Sequence, residues 1–371
     1  MGKRSVKPQK AKVAAKRTAT SGKTLLSSLL KKFGEGVVWS FAENQPEQKI
    51  DVIPCPTKSV NWLFGRGGLP RGRLTELAGH ESSGKTTLAY HFMRAVQLAG
   101  GSIALVDMEN SMDLDYLRQC GVDEKKNFIF AQPDYAEQAL DLVEELITAG
   151  QTDLIVLDSV AAMTPKAELE GDMTDVQVGL QARVLSKAMR RINVLLKGTN
   201  VAVVFTNQVR DKIGGFGWGP QTMTPGGRAL KHTAAVRLEL KRTKPIKVST
   251  KQIGFLTKIK CVKNKVAPPF REIEVPIMFG YGFDERLDYI DLATKAKAIK
   301  KMASIFYFGK NAIGNGWRES YEKIQTRAKL KAAIDTKIDA MLVKWSDLGS
   351  AQDSHGEANE EAAADGGAQS E

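Results

Sequence analysis

Two hydrophobic patterns alternate along this chain. Apolar runs at Leu74–Ala78, Ser102–Asp107, Asn127–Ala131, Asp153–Asp158 and Asn200–Thr206 predict buried strands. Between them, Leu88–Ala99 has the pattern of a helix. Ala136, Ala139, Leu140, Val143, Leu146 and Ile147 mark a second, and Val184, Leu185, Ala188, Ile192 and Leu195 a third. Strand–helix alternation of this kind predicts an α/β fold, with a mostly parallel central sheet covered on both faces. Ala234–Leu240, Gly254–Val262 and Arg271–Met278 follow without intervening helices and are expected to extend the sheet as antiparallel strands. Near the start, Leu25, Leu26, Leu29, Leu30 and Phe33 recur at helical spacing, with Lys31 and Lys32 opposite and Gly34 as the stop. A helix this short is not stable alone, so it is expected to dock on its own core or on a neighbouring subunit. A strand is expected near Val37–Phe41, and Gly65–Gly72 reads as a turn-rich approach to the first core strand.

After Gly280-Tyr-Gly282 the pattern changes. Residues 284–345 are Lys-rich and helical, interrupted at Ser304–Phe308 and Gly309–Gly316, and predict a small α+β domain. The expected plan is a disordered basic arm over 1–20, a helix/strand segment over 21–55, a large α/β core over 56–283, a small Lys-rich domain over 284–346 and a disordered acidic tail over 347–371.

Charge adds a partner to this picture. The chain of 371 residues carries a formal net charge of +12. Residues 1–34 hold ten Lys/Arg and no acid, whereas residues 353–371 hold six acids and no Lys/Arg. A basic body suggests a polyanion. A disordered acidic tail beside it is expected to compete with that polyanion for the cationic surface. No apolar run is long enough to span a membrane. Three scattered cysteines, Cys55, Cys120 and Cys261, share no metal-ligand spacing, which points to buried thiols and a reducing, cytoplasmic setting.

The chemistry centres on Gly79-His-Glu-Ser-Ser-Gly-Lys-Thr-Thr87, which fits the P-loop pattern between a strand and a helix. Backbone N–H groups of such a loop and the positive end of the following helix converge on a phosphate. The cradle is Gly79, His80, Glu81, Ser82, Ser83, Gly84, Lys85, Thr86 and Thr87, with Lys85 reaching the β- and γ-phosphates and Thr86 the Mg²⁺. A second Gly-Lys-Thr, at Gly22–Thr24, lacks the leading glycine and the strand, and is expected only to lead into the helix at Leu25. Asp158 ends an apolar strand and can hold Mg²⁺ through water. Glu109 lies just past the neighbouring strand, where a carboxylate can polarise an attacking water or be a surface turn acid. Gln208, at another strand tip, can sense the γ-phosphate or be an ordinary polar strand end. Two long loops, Thr164–Val178 and Asp211–Gly227, are flanked by basic residues, and the second carries Phe216 and Trp218. Cations interleaved with aromatics suit single-stranded nucleic acid; a lid over the nucleotide is the other reading.

With these motifs in place the chain resembles the bacterial-type RecA recombinases, as a divergent bacterial or phage-encoded member. The resemblance rests on the P-loop, on Leu157-Asp-Ser-Val-Ala-Ala-Met-Thr-Pro-Lys-Ala-Glu168, Gly179-Leu-Gln-Ala-Arg183, Asn207-Gln-Val-Arg210, Thr224-Pro-Gly-Gly-Arg-Ala-Leu-Lys231 and Val262-Lys-Asn-Lys-Val-Ala267. It implies an ATPase that uses ATP and Mg²⁺, polymerises as a helical filament on single-stranded DNA and exchanges strands with homologous duplex DNA. By resemblance Glu109 is the catalytic base, Asp158 the Mg²⁺ carboxylate and Gln208 the γ-phosphate sensor. Asp113 and Tyr116 match adenine contacts. Lys263 and Lys265 match lysines that reach the ATP of the adjacent subunit, so that hydrolysis depends on assembly. Ser186, Arg190, Gly226, Gly227 and Arg228 match phosphate contacts to the primary strand, Arg183 and Arg210 positions linked to the second strand, and Val178 and Ile213 apolar residues inserted between base triplets. His232 stands where the family has an aromatic. A RecA-like hexameric helicase is the alternative; it needs the same P-loop but not the Thr224–Lys231 run.

Overall fold

The computed structural model describes residues 19–34, 38, 50–172, 179–211, 222–223 and 225–345. Residues 1–18 of the basic arm, most of the Val37–Phe41 stretch, Val178, Ile213, Phe216, Trp218 and the acidic tail lie outside the described residues, whereas Ala19 and Thr20, expected to belong to the disordered arm, are helical. The chain divides into two units, Met1–Lys49 and Ile50–Glu371. The first contains α1 (Ala19–Phe33), which ends where Gly34 turns to a left-handed φ of 84°. This helix begins six residues earlier than the leucine pattern, at Leu25, indicates: the Gly22–Thr24 run is part of it.

The second unit opens with β1 (Val52–Ile53), α2 (Lys58–Phe64) and β2 (Leu69–Pro70). Its core runs β3 (Leu74–Gly79), α3 (Lys85–Leu98), β4 (Ile103–Asp107), α4 (Leu114–Gln119), β5 (Phe128–Ala131), α5 (Ala136–Ala149) and β6 (Leu154–Asp158). It continues through α6 (Lys166–Glu170), α7 (Leu180–Leu195), β7 (Ala202–Gln208), β8 (Arg210–Asp211), β9 (Thr222–Met223) and α8 (Ala229–Thr233). Then come β10 (Val236–Val248), β11 (Lys251–Asn264), β12 (Glu272–Met278) and β13 (Gly282–Phe283). Among the described residues the main sheet has nine strands, in the order β13-β12-β11-β10-β3-β7-β6-β4-β5.

The five expected core strands are present, and all are parallel. One expectation needs correction. The strand starting near Ala234 is not an antiparallel appendage on both sides: β10 runs parallel to β3, with Arg237 opposite Glu76, and only β11 and β12 turn antiparallel. The five-residue α8 ahead of β10 supplies the reversal that a parallel neighbour needs.

Alternate residues of the strands feed two apolar layers. Leu77, Leu105, Val156 and Val204 pack with Leu88, Phe92 and Met93 of α3 and with Leu63 and Phe64 of α2. Val106, Leu157, Val203 and Phe205 pack with Leu140 and Val143 of α5 and with Leu185 and Ile192 of α7. Every polar strand tip is thereby held at one edge of a rigid slab. A third cluster, around Tyr289, Ile299, Phe306 and Ile338, belongs to α9 (Glu285–Lys295), β14 (Lys300–Met302), β15 (Ile305–Phe308), β16 (Asn311–Asn315), α10 (Gly316–Thr326) and a last helical stretch over 328–345. Through α2 it joins the core. Ser59 donates from its backbone N (3.2 Å) and its hydroxyl to the buried Asp288, and Trp62 Nε1 donates to Leu342 O at 2.8 Å. Cys55, Cys120 and Cys261 are buried free thiols, and burial pushes Cys55 up to about 12.

Candidate nucleotide and DNA site

The carboxyl ends of parallel strands carry the polar residues, because there the chain leaves the apolar slab and turns toward the next helix. Strand β3 delivers the P-loop. Gly84 caps α3 with φ 96°, and a Cβ on it would sit 2.3 Å from Ile277 Cδ1, so glycine is required on both backbone and packing grounds. Lys85 is 8% exposed and folds back over the loop, donating from Nζ to Gly79 O at 3.1 Å and His80 O at 2.9 Å. Burial holds its ammonium below the usual lysine range, opposed by the carboxylates of Asp158, Glu109 and Glu81. A desolvated cation satisfied only by carbonyls is a ready partner for an anion.

Next to it, Thr86 Oγ1 donates to Asp158 Oδ2 at 2.6 Å, and Thr206 Oγ1 donates to Asp158 Oδ1. Burial pushes the Asp158 carboxyl up, while the two hydroxyl donors pull it down. Thr86 and Asp158, assigned to the metal from spacing, are therefore in contact, and their hard oxygens suit Mg²⁺. Among the described residues no group of three or more His, Cys, Asp or Glu side chains could cage a metal.

Glu109 and Gln208 also meet. Gln208 Nε2 donates to Glu109 Oε1 at 3.2 Å, and Ser159 Oγ donates to the same oxygen at 2.5 Å. The Glu109 backbone N donates to Asp107 Oδ1 at 3.0 Å, and Met112 N to Asp107 Oδ2 at 3.2 Å, so Asp107 clamps the turn that carries Glu109. Sequence reasoning missed Asp107, Ser159 and Thr206. A polar residue closing a buried run next to Asp158 or Gln208 was the available signal.

Asp113 caps α4, accepting from Asp115 N at 2.9 Å and Tyr116 N at 3.1 Å. The Tyr116 hydroxyl shares a 2.7 Å hydrogen bond with Thr87 Oγ1, tying α4 to the start of α3. Burial raises its phenol well above the ordinary range.

The DNA candidates fall on two adjoining segments. Arg183, Ser186 and Arg190 are spaced along one face of α7; Arg183 and Arg190 are exposed and Ser186 is half-buried. Turn 225–228 lies against this helix, since a Cβ on Gly226 would come within 2.5 Å of Leu185 Cδ2. Gly227 and Arg228 are exposed there. Of Arg210 only the backbone is described; its strand β8 pairs with β9, closing the base of the second loop. Lys263 and Lys265 do not lie beside this subunit's Lys85. Lys263 Nζ donates to Lys231 O at 2.6 Å and His232 O at 2.8 Å, and Lys265 Nζ to His232 O at 3.4 Å, capping the carboxyl end of α8.

The RecA N-terminal domain family matches residues 22–284. Protein RecA of Thermus aquaticus is 44% identical over 314 residues, covering 84% of this chain and 92% of that one. Protein RecA of Geobacter metallireducens is 43% identical over 313 residues, with 84% and 92% covered. Protein RecA of Nautilia profundicola is 43% identical over 319 residues, with 86% and 91% covered.

Proposed function

The chain belongs to the RecA family, and we propose that the cluster of Lys85, Thr86, Glu109, Asp158 and Gln208 is its ATPase centre. As a member of that family it is a DNA-dependent ATPase that uses ATP and Mg²⁺, assembles as a filament on single-stranded DNA and exchanges strands with a homologous duplex in recombination and repair. The hexameric-helicase alternative is not favoured, because recombinases match over 92% of their own length. No helix among the described residues is long and apolar enough to cross a membrane.

The observation that carries the site assignment is the Gln208–Glu109 hydrogen bond beside the Thr86–Asp158 pair. The P-loop, Gly79 to Thr87, binds the triphosphate. Thr86 and Asp158 would hold Mg²⁺, which would neutralise phosphate charge. Glu109 orients and polarises the attacking water. Gln208 trades Glu109 for a γ-phosphate oxygen, which frees the base only when ATP is present. Asp113 and Tyr116 contact adenine, placed by α4.

DNA binding runs through Arg183, Ser186 and Arg190 on α7, turn 226–228 and the loop bearing Arg210 and Ile213. Lys263 and Lys265 leave α8 to reach the neighbouring subunit's ATP. The 284–346 region supplies a second DNA surface, supported by cations over its aromatic rings: Arg318 at 5.1 Å from Trp317 and Lys337 at 5.8 Å from Phe308. Such a protein works in the cytoplasm.

Joint-molecule formation between homologous single-stranded and duplex DNA tests the reading, run with ATP and with its β,γ-imido analogue. Pairing is expected with ATP, and pairing with the analogue would show that hydrolysis is not needed for the exchange step itself. Unwinding without pairing would restore the helicase reading.

A further inference from the structure

A polar layer interrupts the apolar packing beneath α8. Glu76 of β3, Arg237 of β10 and Asn207 of β7 are 1%, 5% and 1% exposed, on the sheet face that otherwise presents Leu74, Phe205 and Leu157 to a cluster that includes Leu230 of α8. Arg237 Nε donates to Glu76 Oε2 at 2.8 Å, and its Nη1 to Glu239 Oε1 at 2.5 Å. Asn207 Nδ2 donates to Glu76 Oε1 at 3.2 Å and reaches Pro225 O at 3.4 Å, leaving its own Oδ1 unpartnered. A buried ion pair is weak support for stability, because desolvation offsets most of its attraction and apolar residues of the same volume serve as well. What such a group does supply is geometry. Asn207 precedes Gln208, the residue touching Glu109; Pro225 precedes Gly226-Gly227-Arg228. One side chain therefore spans the strand tip and the base of the DNA turn, and the ion pair behind it fixes where that side chain sits.

We propose that Asn207, held by the Glu76–Arg237 pair, is a positioning residue that transmits the nucleotide state at Gln208 to the DNA-binding turn at 225–228. The proposal rests on the reading of Gln208 as sensor and of that turn as a DNA contact. When Gln208 moves toward a phosphate, β7 shifts at its tip. Asn207 then moves its bond to Pro225 O, and the turn follows, while Glu76 resists any other displacement.

The test is Asn207→Leu in the full chain, which removes both bonds with a side chain of similar volume. Turnover without DNA and affinity for a fluorescent ATP analogue should stay close to wild type. Stimulation of turnover by a poly(dT) oligonucleotide should fall about tenfold, and the tightening of oligonucleotide binding by the imido analogue over ADP should shrink equally. Glu76→Gln, which keeps an acceptor for Asn207, should retain most of the stimulation. If Asn207→Leu melts early, the double variant Glu76→Met/Arg237→Met carries the same expectation. Normal stimulation in a folded variant overturns the proposal, and so does equal loss of basal and stimulated turnover, the mark of a merely structural role. Gln208→Ala run alongside separates the two layers. If it loses stimulation while Asn207→Leu keeps it, only the coupling role fails. If it keeps full stimulation, the sensor reading fails and takes the coupling role with it.

Discussion

Asp158 and Asp288 are both buried carboxylates that accept from hydroxyls, and burial raises both. Asp158 has Thr86 and Thr206; Asp288 has Ser59, from its hydroxyl and its backbone N. One sits at the carboxyl end of a parallel strand beside a desolvated lysine. The other sits in the first turns of α9, where it fastens the last domain's helix to α2. Local chemistry is nearly the same, but position on the fold separates them. Asp158 faces a site where a cation can complete its charge balance. Asp288 faces only the seam between two packed helices.

Removing the cation next to Asp158 should have the largest effect. Lys85→Ala is expected to weaken ATP binding by about a hundredfold or more, read by titration with a fluorescent nucleotide. Glu109→Gln should keep nucleotide binding and slow turnover by about 10²–10⁴-fold in a steady-state phosphate-release assay; normal hydrolysis would remove Glu109 as the base. Asp158→Asn should lower turnover by about 10²–10³-fold with little change in thermal melting, because the amide still accepts from one threonine. Unchanged turnover with an altered melting temperature instead would make Asp158 a second Asp288.

The smallest effect on turnover lies at the seam. Burial raises Asp288 from 3.8 to about 6. Between those values the folded chain holds a proton that the unfolded chain has released, so this group's contribution to stability falls as pH rises. Denaturant unfolding should therefore show Asp288→Asn gaining on wild type by up to about 3 kcal/mol from pH 4 to above pH 6. ATP turnover should be unchanged. A flat difference across pH would mean that Asp288 ionises at the same pH in the folded and the unfolded chain, so that burial does not raise it.

Much of the frame was legible in the residues. Apolar runs of strand length, broken by helical periodicity, predicted β3, β4, β6 and β7, because burial on both faces demands continuous hydrophobicity; β5 was read from the same kind of run, but it is the edge strand and Ile129 and Phe130 are exposed. The P-loop was legible for a different reason: backbone approach to phosphate leaves few sequence solutions. Three things were harder to read. The direction of β10 depends on α8, a five-residue helix too short to leave a periodic signature. The small helix α6 inside the expected loop Thr164–Val178 was hidden likewise. Glu76 and Arg237 cannot be told in sequence from ordinary polar interruptions of strands, since a buried pair and an exposed face give the same alternation.

Residue types alone determined that this chain folds as a parallel α/β slab, binds a triphosphate and carries its polar groups at strand tips. Those features follow from local periodicity and from the donors a short motif must present. Which tips touch was decided only by the tertiary structure. Glu109 meets Gln208 because β4, β6 and β7 stack in a register that brings residues 99 apart in the chain within a hydrogen bond. Lys263 caps α8 because β11 returns antiparallel to β10. Contacts of that kind depend on strand order and register, which no single stretch of sequence encodes by itself.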